Sequence, residues 1–364
     1  VKILFVHTYY PEFLADLYAR KAELAALDYQ AQSAHVFGEM FSIADACSHG
    51  MREIGVDARE VICNADPLQT AWARSNDLTL VENVHDRRRQ ILAAQIDDYR
   101  PDILYVFEWS PLGDDFLREM KRRVRLVVGQ IASPLPDNRT FVAYDLMVSS
   151  YPPIVDHFNA SGSRGVYLPL AFDARVLKKI SPGPKKYDVT FVGGFAPSHP
   201  DRAEWLETLL ERINVAIFGY GIERVPQNSP VHDHYHGELW ALPMYETIQR
   251  SRITLNLHAR IEVGGQPHRR FANNMRLYEA TGVGTCLVTE AMPNLGDFFQ
   301  PDVEVATFAD FRDCAVTVEQ LLRDENRRQR IAAAGQQKTL AKHTYPLRMA
   351  QLADALRQHL NGQP

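Results

Sequence analysis

A chain of 364 residues, 46% hydrophobic and 23% charged, is long enough for two cores and has the balance of a globular protein, not a disordered or fibrous one. Its net charge of −5 argues against wholesale binding to nucleic acid or anionic lipid. Cys47, Cys63, Cys286 and Cys314 are widely spaced, make no metal-ligand pattern and suit a reduced, cytoplasmic setting. No stretch has the length of a membrane span, and the first residues read directly as a strand, so no signal peptide is expected.

Lys2 to His7 is an apolar run that predicts an opening strand. Ala34 to Ile54 predicts one helix, with Phe37, Met40, Phe41, Ala44 and Met51 near helical spacing. Asp57 to Cys63 predicts a second strand and Val84 to Tyr99 a helix; Pro101-Asp102 then leads into a strand from Ile103 to Phe107. Asp114 to Arg123 predicts a helix, and Leu126 to Ile131 and Leu146 to Ser149 predict strands. Ser161 to Lys186, with Pro169, Pro182 and Pro184, predicts a linker. Beyond it the pattern repeats: strands at Asp188 to Val192, Val215 to Phe218 and Ile253 to Leu257, and helices at Arg202 to Arg212 and Pro243 to Arg250. Pro346 to Leu360 predicts a last helix. Strands alternating with helices predict parallel pairing with right-handed crossovers, an α/β chain with two Rossmann-like halves. The expected domains are residues 1–170 and 171–345, with 346–364 crossing back to the first.

The densest chemistry lies between Asn273 and Glu290. It predicts a short helix capped by Asn273, a turn at Gly282 and Gly284, and a buried strand from Thr285 to Thr289. Asn273, Arg276 and Glu279 are three apart and share roughly one helix face. Helix amides and an arginine suit a diphosphate, and a carboxylate one turn deeper suits ribose hydroxyls. A surface helix with an Arg–Glu pair is the plainer alternative.

Neighbouring pieces give this motif a context: Ser251 to His258 before it, then Pro293 to Phe299, Asp302 to Val305, a polar helix with Arg327 to Gly335, and His343-Thr344-Tyr345. The series, from about Tyr187 to Leu352, resembles the C-terminal domain of GT-B glycosyltransferases, most closely the CgeB-like group. The resemblance implies a GT-B architecture, two Rossmann-like domains facing across a cleft. The second would hold a nucleotide-diphosphate sugar. The first would hold the acceptor, a hydroxyl on a glycan, lipid-linked or protein partner. It implies metal-independent sugar transfer without a cofactor, in surface glycan or glycoconjugate synthesis. A sugar-nucleotide epimerase and a non-catalytic binding or assembly protein are the alternatives on the same fold.

Gly193-Gly194 follows a strand, where bare backbone either admits phosphate or makes a tight turn. Arg202 opens the next helix, as a phosphate contact or as a surface partner of Asp201 or Glu204. Gly219 and Tyr220 end another strand, where the resemblance implies a nucleoside; Tyr220 either stacks on the base or packs in a turn. His258 ends a strand expected to aim at the donor. Arg269 and Arg276 would oppose charge on the leaving diphosphate. Asn273 and Asn274 complete the expected donor set with Glu279. His232, His234 and His236 alternate, but no nearby cysteine completes a metal site. One departure is clear: the first of two glutamates common in retaining relatives would fall at Phe271, so its contact would come from His268 or an amide near Gly265.

In the first half, His7 and Glu108 end strands that should face the site. Glu108 is the general-base candidate and His7 a donor-sugar contact or a core histidine. Ser133, Asp137 and Tyr151 are candidates for the acceptor. Arg118, Lys121, Arg122, Arg123 and Arg125 form a basic run, either a solvated helix end or a peripheral membrane contact.

Overall fold

The structure is a computed structural model that describes residues 1–107, 112–136, 141–263, 271–272 and 274–361. The chain divides into two compact units, Val1–Pro169 with Pro346–Pro364, and Leu170–Tyr345.

The first unit holds six strands: β1 (Lys2–His7), β2 (Asp57–Ile62), β3 (Ile103–Phe107), β4 (Leu126–Gln130), β5 (Leu146–Ser149) and β6 (Gly165–Tyr167). They pair in the order β2-β1-β3-β4-β5-β6, all parallel. The inner strands are apolar on both faces, as sheets covered by helices require. The helices are α1 (Pro11–Arg20), α2 (Tyr29–Gly38), α3 (Ala46–Glu53), α4 (Asp66–Ser75), α5 (Val84–Tyr99), α6 (Asp114–Met120) and α7 (Pro152–Ala160). Helix α5 matches its local signals. The Asn83 side chain accepts from the Asp86 amide, Arg100 ends the helix in the left-handed region at φ 51°, and Pro101 follows. Helices α1, α4 and α7 were not expected; each carries a proline in its first turn, where no amide is needed.

One expectation fails outright. Ala34 to Ile54 is not one helix: α2 stops at Gly38 and α3 starts at Ala46. Met40, Ser42 and Ala44 between them have φ of 59°, 54° and 45°. Phe41 stacks on Phe13 at 3.9 Å, and Met40 and Ala44 are buried. The apolar spacing is real, but those residues are buried by an irregular turn packed on α1 and not by a helix face.

The second unit holds β7 (Tyr187–Val192), β8 (Ala216–Phe218), β9 (Ser251–Asn256), β10 (Cys286–Glu290) and β11 (Ala306–Phe308), in the order β8-β7-β9-β10-β11, all parallel. Its helices are α8 (Arg202–Leu210), α9 (Ala241–Gln249), α10 (Arg276–Gly282), α11 (Phe311–Arg323) and α12 (Glu325–Lys342). The core centres on Trp205, which stacks on Phe308 at 6.0 Å and meets Phe191 edge-on at 5.5 Å. Helix α13 (Tyr345–Asn361) belongs to the first unit from Pro346 on, and His359 lies 3.0 Å from Arg164 there.

In both sheets the strand order runs outward from one border, β1/β3 in the first and β7/β9 in the second. At such a border the crossovers leave to opposite faces, so a crevice opens beyond the strand C-termini.

Of the basic run, Lys121 pairs with Asp145 at 2.8 Å, Arg123 with Asp97 at 2.7 Å and Glu119 at 2.6 Å, and Arg125 with Asp102 at 3.8 Å. Much of its charge is met within the first unit. Among the described residues no helix is long and apolar enough to cross a membrane.

Candidate donor site of the second unit

Among the described residues, Gly193, Gly194, Arg202, Gly219, Tyr220, His258, Asn274, Arg276 and Glu279 of the expected donor set lie at or beside the β7/β9 border. β7 ends at Val192 and runs into Gly193-Gly194, while β8 ends beside it at Phe218 and runs into Gly219-Tyr220. The Gly193 amide donates to the Phe218 carbonyl at 2.9 Å, and the Phe195 amide to the Tyr220 carbonyl at 2.8 Å. A Cβ on Gly194 would enter the Tyr220 ring, and one on Gly219, at φ 145°, would strike the Gly193 backbone. The two turns can lie this close only because they lack side chains. Tyr220 stacks on Trp240 at 5.5 Å and 16°. Trp240 was not anticipated, since it stands outside every motif and reaches the site only through folding.

Arg202 opens α8 and turns inward. It is 7% exposed, donates to the carbonyl of Gly194 and, at 3.4 Å, to that of Leu257. Its guanidinium lies 5.3 Å from the centre of the Phe191 ring. The surface pairing with Asp201 is corrected: Asp201 pairs instead with Arg260. No carboxylate pairs with Arg202 among the described residues, and its Nε has no partner there. Burial, reinforced by the Arg276 charge and opposed by Tyr220, pulls its pKa down to about 9.

Arg276 reaches the same place from α10. Its Nη2 donates to the Val192 carbonyl at 3.0 Å, and its Nη1 lies 2.8 Å from Glu279 Oε2. Glu279, 6% exposed, also accepts from the Tyr245 hydroxyl at 3.5 Å. Tyr245 is another residue missed in the sequence, hidden in an ordinary helix. Two cations and one carboxylate leave the cluster net positive, a setting for an anion. Arg276 Nε and Asn274 Oδ1 are buried without partners among the described residues.

A polar network lies at the ends of β9 and β10. Asn274 Nδ2 donates to Asn256 Oδ1 at 2.6 Å, and Asn256 Nδ2 to Thr289 Oγ1 at 2.9 Å. His258 Nε2 lies 3.2 Å from the same Thr289 oxygen, with the ring 2% exposed. Before α10, Asn294 clamps the backbone, accepting from the Ala272 amide at 2.7 Å and donating to its carbonyl at 3.2 Å.

The capping expectation needs correction. α10 begins at Arg276, with Met275 at its N-cap and no side-chain cap bond. The helix therefore starts two residues later than expected, and Arg276 is its first residue. Asn273, His268, Gly265 and Arg269 lie outside the described residues, as do Glu108 and Asp137 of the first unit.

Also in the first unit, His7 does not stand alone. Its Nε2 lies 3.1 Å from Glu60 Oε1, its ring stacks on Phe107 at 3.8 Å, and Ser48 donates to Glu60 Oε2 at 2.8 Å. Glu60 was missed because its partner is 53 residues away in sequence. Burial pushes its pKa up, against the opposing pull of His7. Tyr151 is buried in the same unit, which raises its phenol pKa. Among the described residues no group of three or more His, Cys, Asp or Glu is arranged to hold a metal. His232 faces the Pro226 carbonyl at 3.1 Å and His234 faces Asn214 at 3.0 Å.

Residues 202–354 match the family model described as glycosyl transferase-like. That span covers α8, β8, β9 and α10, and leaves out β7 and the Gly193-Gly194 turn. Solved structures are similar over nearly the full chain. Sucrose-phosphate synthase from Thermosynechococcus elongatus has 11% identity and a TM-score of 0.59, covering 100% of both chains. A glycosyltransferase from Rickettsia africae has 10% identity and a TM-score of 0.59, covering 100% of this chain and 99% of that one. Anabaena HepE, in complex with UDP-glucose, has 12% identity and a TM-score of 0.58, covering 98% and 99%. A search of curated proteins gives no match. The fold is thus α/β of the GT-B type, two parallel sheets with their helices.

Proposed function

We propose that this protein is a glycosyltransferase that takes a sugar from a nucleoside-diphosphate donor held at the β7/β9 border. One observation carries the reading: Arg202 is a buried cation with no carboxylate partner among the described residues, and Arg276 converges with it on the end of β7. An uncompensated buried charge is costly unless something completes it, and a diphosphate does so. The family match over residues 202–354 and the likeness to HepE, crystallised with UDP-glucose, support the same reading.

In the proposed reaction an acceptor hydroxyl oxygen bonds to the anomeric carbon while the bond from that carbon to the diphosphate breaks. The electron pair leaves with the nucleoside diphosphate, and the hydroxyl proton passes to a base, for which Glu108 is the proposed group. Arg202 and Arg276 oppose the charge that develops on the leaving oxygen. Glu279 takes the ribose hydroxyls, the Gly193-Gly194 and Gly219 turns pack on one another and bring their backbone to the phosphates, and Tyr220 with Trp240 offers an aromatic surface for the base. Transfer is proposed to need no metal and to serve surface glycan or glycoconjugate assembly, as in the CgeB-like group.

The test is thermal unfolding with UDP, GDP, dTDP, ADP and CDP in turn, each with EDTA and with magnesium. A ligand at 100 times its Kd adds about 2.7 kcal/mol. A Tm rise with one nucleotide, unchanged by EDTA and reduced in Arg276→Ala, is expected. No rise with any of them at millimolar concentration would sink the reading.

A further inference from the structure

The second unit's sheet has another end. A cavity of about 660 Å³ opens where β7, β9 and β10 begin, at Tyr187, Arg252 and Cys286, and α12 forms its other wall. The six residues of β7 separate it from Gly193, roughly 20 Å at the usual rise of a strand. It is therefore distinct from the Arg202–Arg276 cluster.

Its lining is charged and polar. Lys185, Lys186, Arg252 and Arg328 face Asp188 and Glu325, which leaves two positive charges over on a chain whose net charge is −5. The carboxylates are engaged: Asp188 pairs with Arg252 at 3.1 Å, and Glu325 with Arg328 at 3.5 Å. The surplus falls on the two lysines, neither of which pairs with a carboxylate among the described residues. Lys185 donates to the Gln249 carbonyl at 2.7 Å, and Lys186 sits 4.9 Å from the centre of the Tyr187 ring. Arg328 is held in place, 5% exposed, by its bond to the Leu321 carbonyl at 2.8 Å.

A space of about 660 Å³ lies in the range of small-molecule sites and equals on the order of twenty waters. Such sites are usually apolar, so a charged, amide-lined one selects a polar, anionic occupant. We propose that this cavity binds a small, hydroxyl-rich molecule carrying a phosphate, with Lys185, Lys186 and Arg328 on the phosphate and Gln329 and Gln336 on the hydroxyls.

Titration calorimetry with glucose 6-phosphate tests this, with glucose and chloride at matched ionic strength as controls. The proposal expects saturable binding of the phosphate ester alone. It expects that binding to persist in Arg276→Gln and to weaken roughly tenfold or more in Lys185→Glu, the scale of one charge-assisted contact. Lys186→Glu, on an exposed side chain, gives an independent second variant with the same expectation. Absence of saturable heat at millimolar ester would overturn the proposal. So would binding that Arg276→Gln abolishes and Lys185→Glu leaves intact, because the ligand would then occupy the other end of the sheet.

Discussion

Arg202 and Arg276 approach the end of one strand from two different helices. Arg276 donates to the Val192 carbonyl at 3.0 Å, and Arg202 donates to the Gly194 carbonyl two residues on. Among the described residues only Arg276 of the two has a carboxylate paired with it, Glu279 at 2.8 Å. Like charges gathered on one short turn repel, so the pair is poised for an anion. Arg276→Ala should weaken nucleoside-diphosphate binding roughly 10- to 100-fold, the scale of a charge-assisted hydrogen bond, with a smaller effect on the free nucleoside. Calorimetry with the diphosphate and the nucleoside compares the two; equal losses for both would remove Arg276 from the phosphate.

Glu279 has two roles that separate experimentally. Removing its carboxylate leaves Arg276 unpaired in a buried site, so Glu279→Ala should lower stability by about 3 kcal/mol, measured by urea unfolding. If the carboxylate also takes the ribose, wild type should favour a ribonucleotide over its 2′-deoxy or 3′-deoxy form, and the variant should not. A preference that survives in Glu279→Ala would assign the residue to holding Arg276 alone.

The two glycine turns predict a contrast in rescue. Gly194→Ala drives a methyl group into the Tyr220 ring, which a smaller side chain removes. Gly219→Ala collides with the Gly193 backbone at φ 145°, and nothing short of moving the turn relieves it. Adding Tyr220→Ala should recover Tm in the first variant relative to Tyr220→Ala alone, and recover none in the second.

Glu60 carries a pH signature. Its folded pKa is raised by burial, so the folded state holds the proton more tightly than the unfolded chain. The cost of the buried carboxylate is fully present above the folded pKa and is relieved as pH falls through it toward the ordinary carboxylate range. Glu60→Gln should remove that component: urea unfolding of wild type minus variant should favour wild type increasingly on acidification. A difference flat across this range would exclude the carboxylate as its source.

Much of the fold was legible locally. β1, β3 and β5 coincide with their apolar runs, since a strand buried on both faces must be apolar throughout. α5 announced both ends through Asn83 and Pro101. In the second unit, Gly282 and Gly284 ended α10 as expected, with Gly284 at φ 77°. The break between α2 and α3 was not legible, because Met40, Ser42 and Ala44 carry no turn signal, yet they adopt positive φ in the segment where Phe41 stacks on Phe13.

The same division holds at the candidate site. The residue types at Gly193, Gly194, Arg202, Arg276 and Glu279 were readable from order and spacing, because glycine after a strand and charge on a helix turn are local signals. Which partner each side chain takes was decided by tertiary structure alone. Arg202 turns from Asp201 to a carbonyl eight residues back, and Trp240 covers Tyr220. Glu60 meets His7 across two paired strands. Hydrogen bonds and charge pairs act over a few ångströms in space, and only the packing of both sheets sets which residues come within that distance.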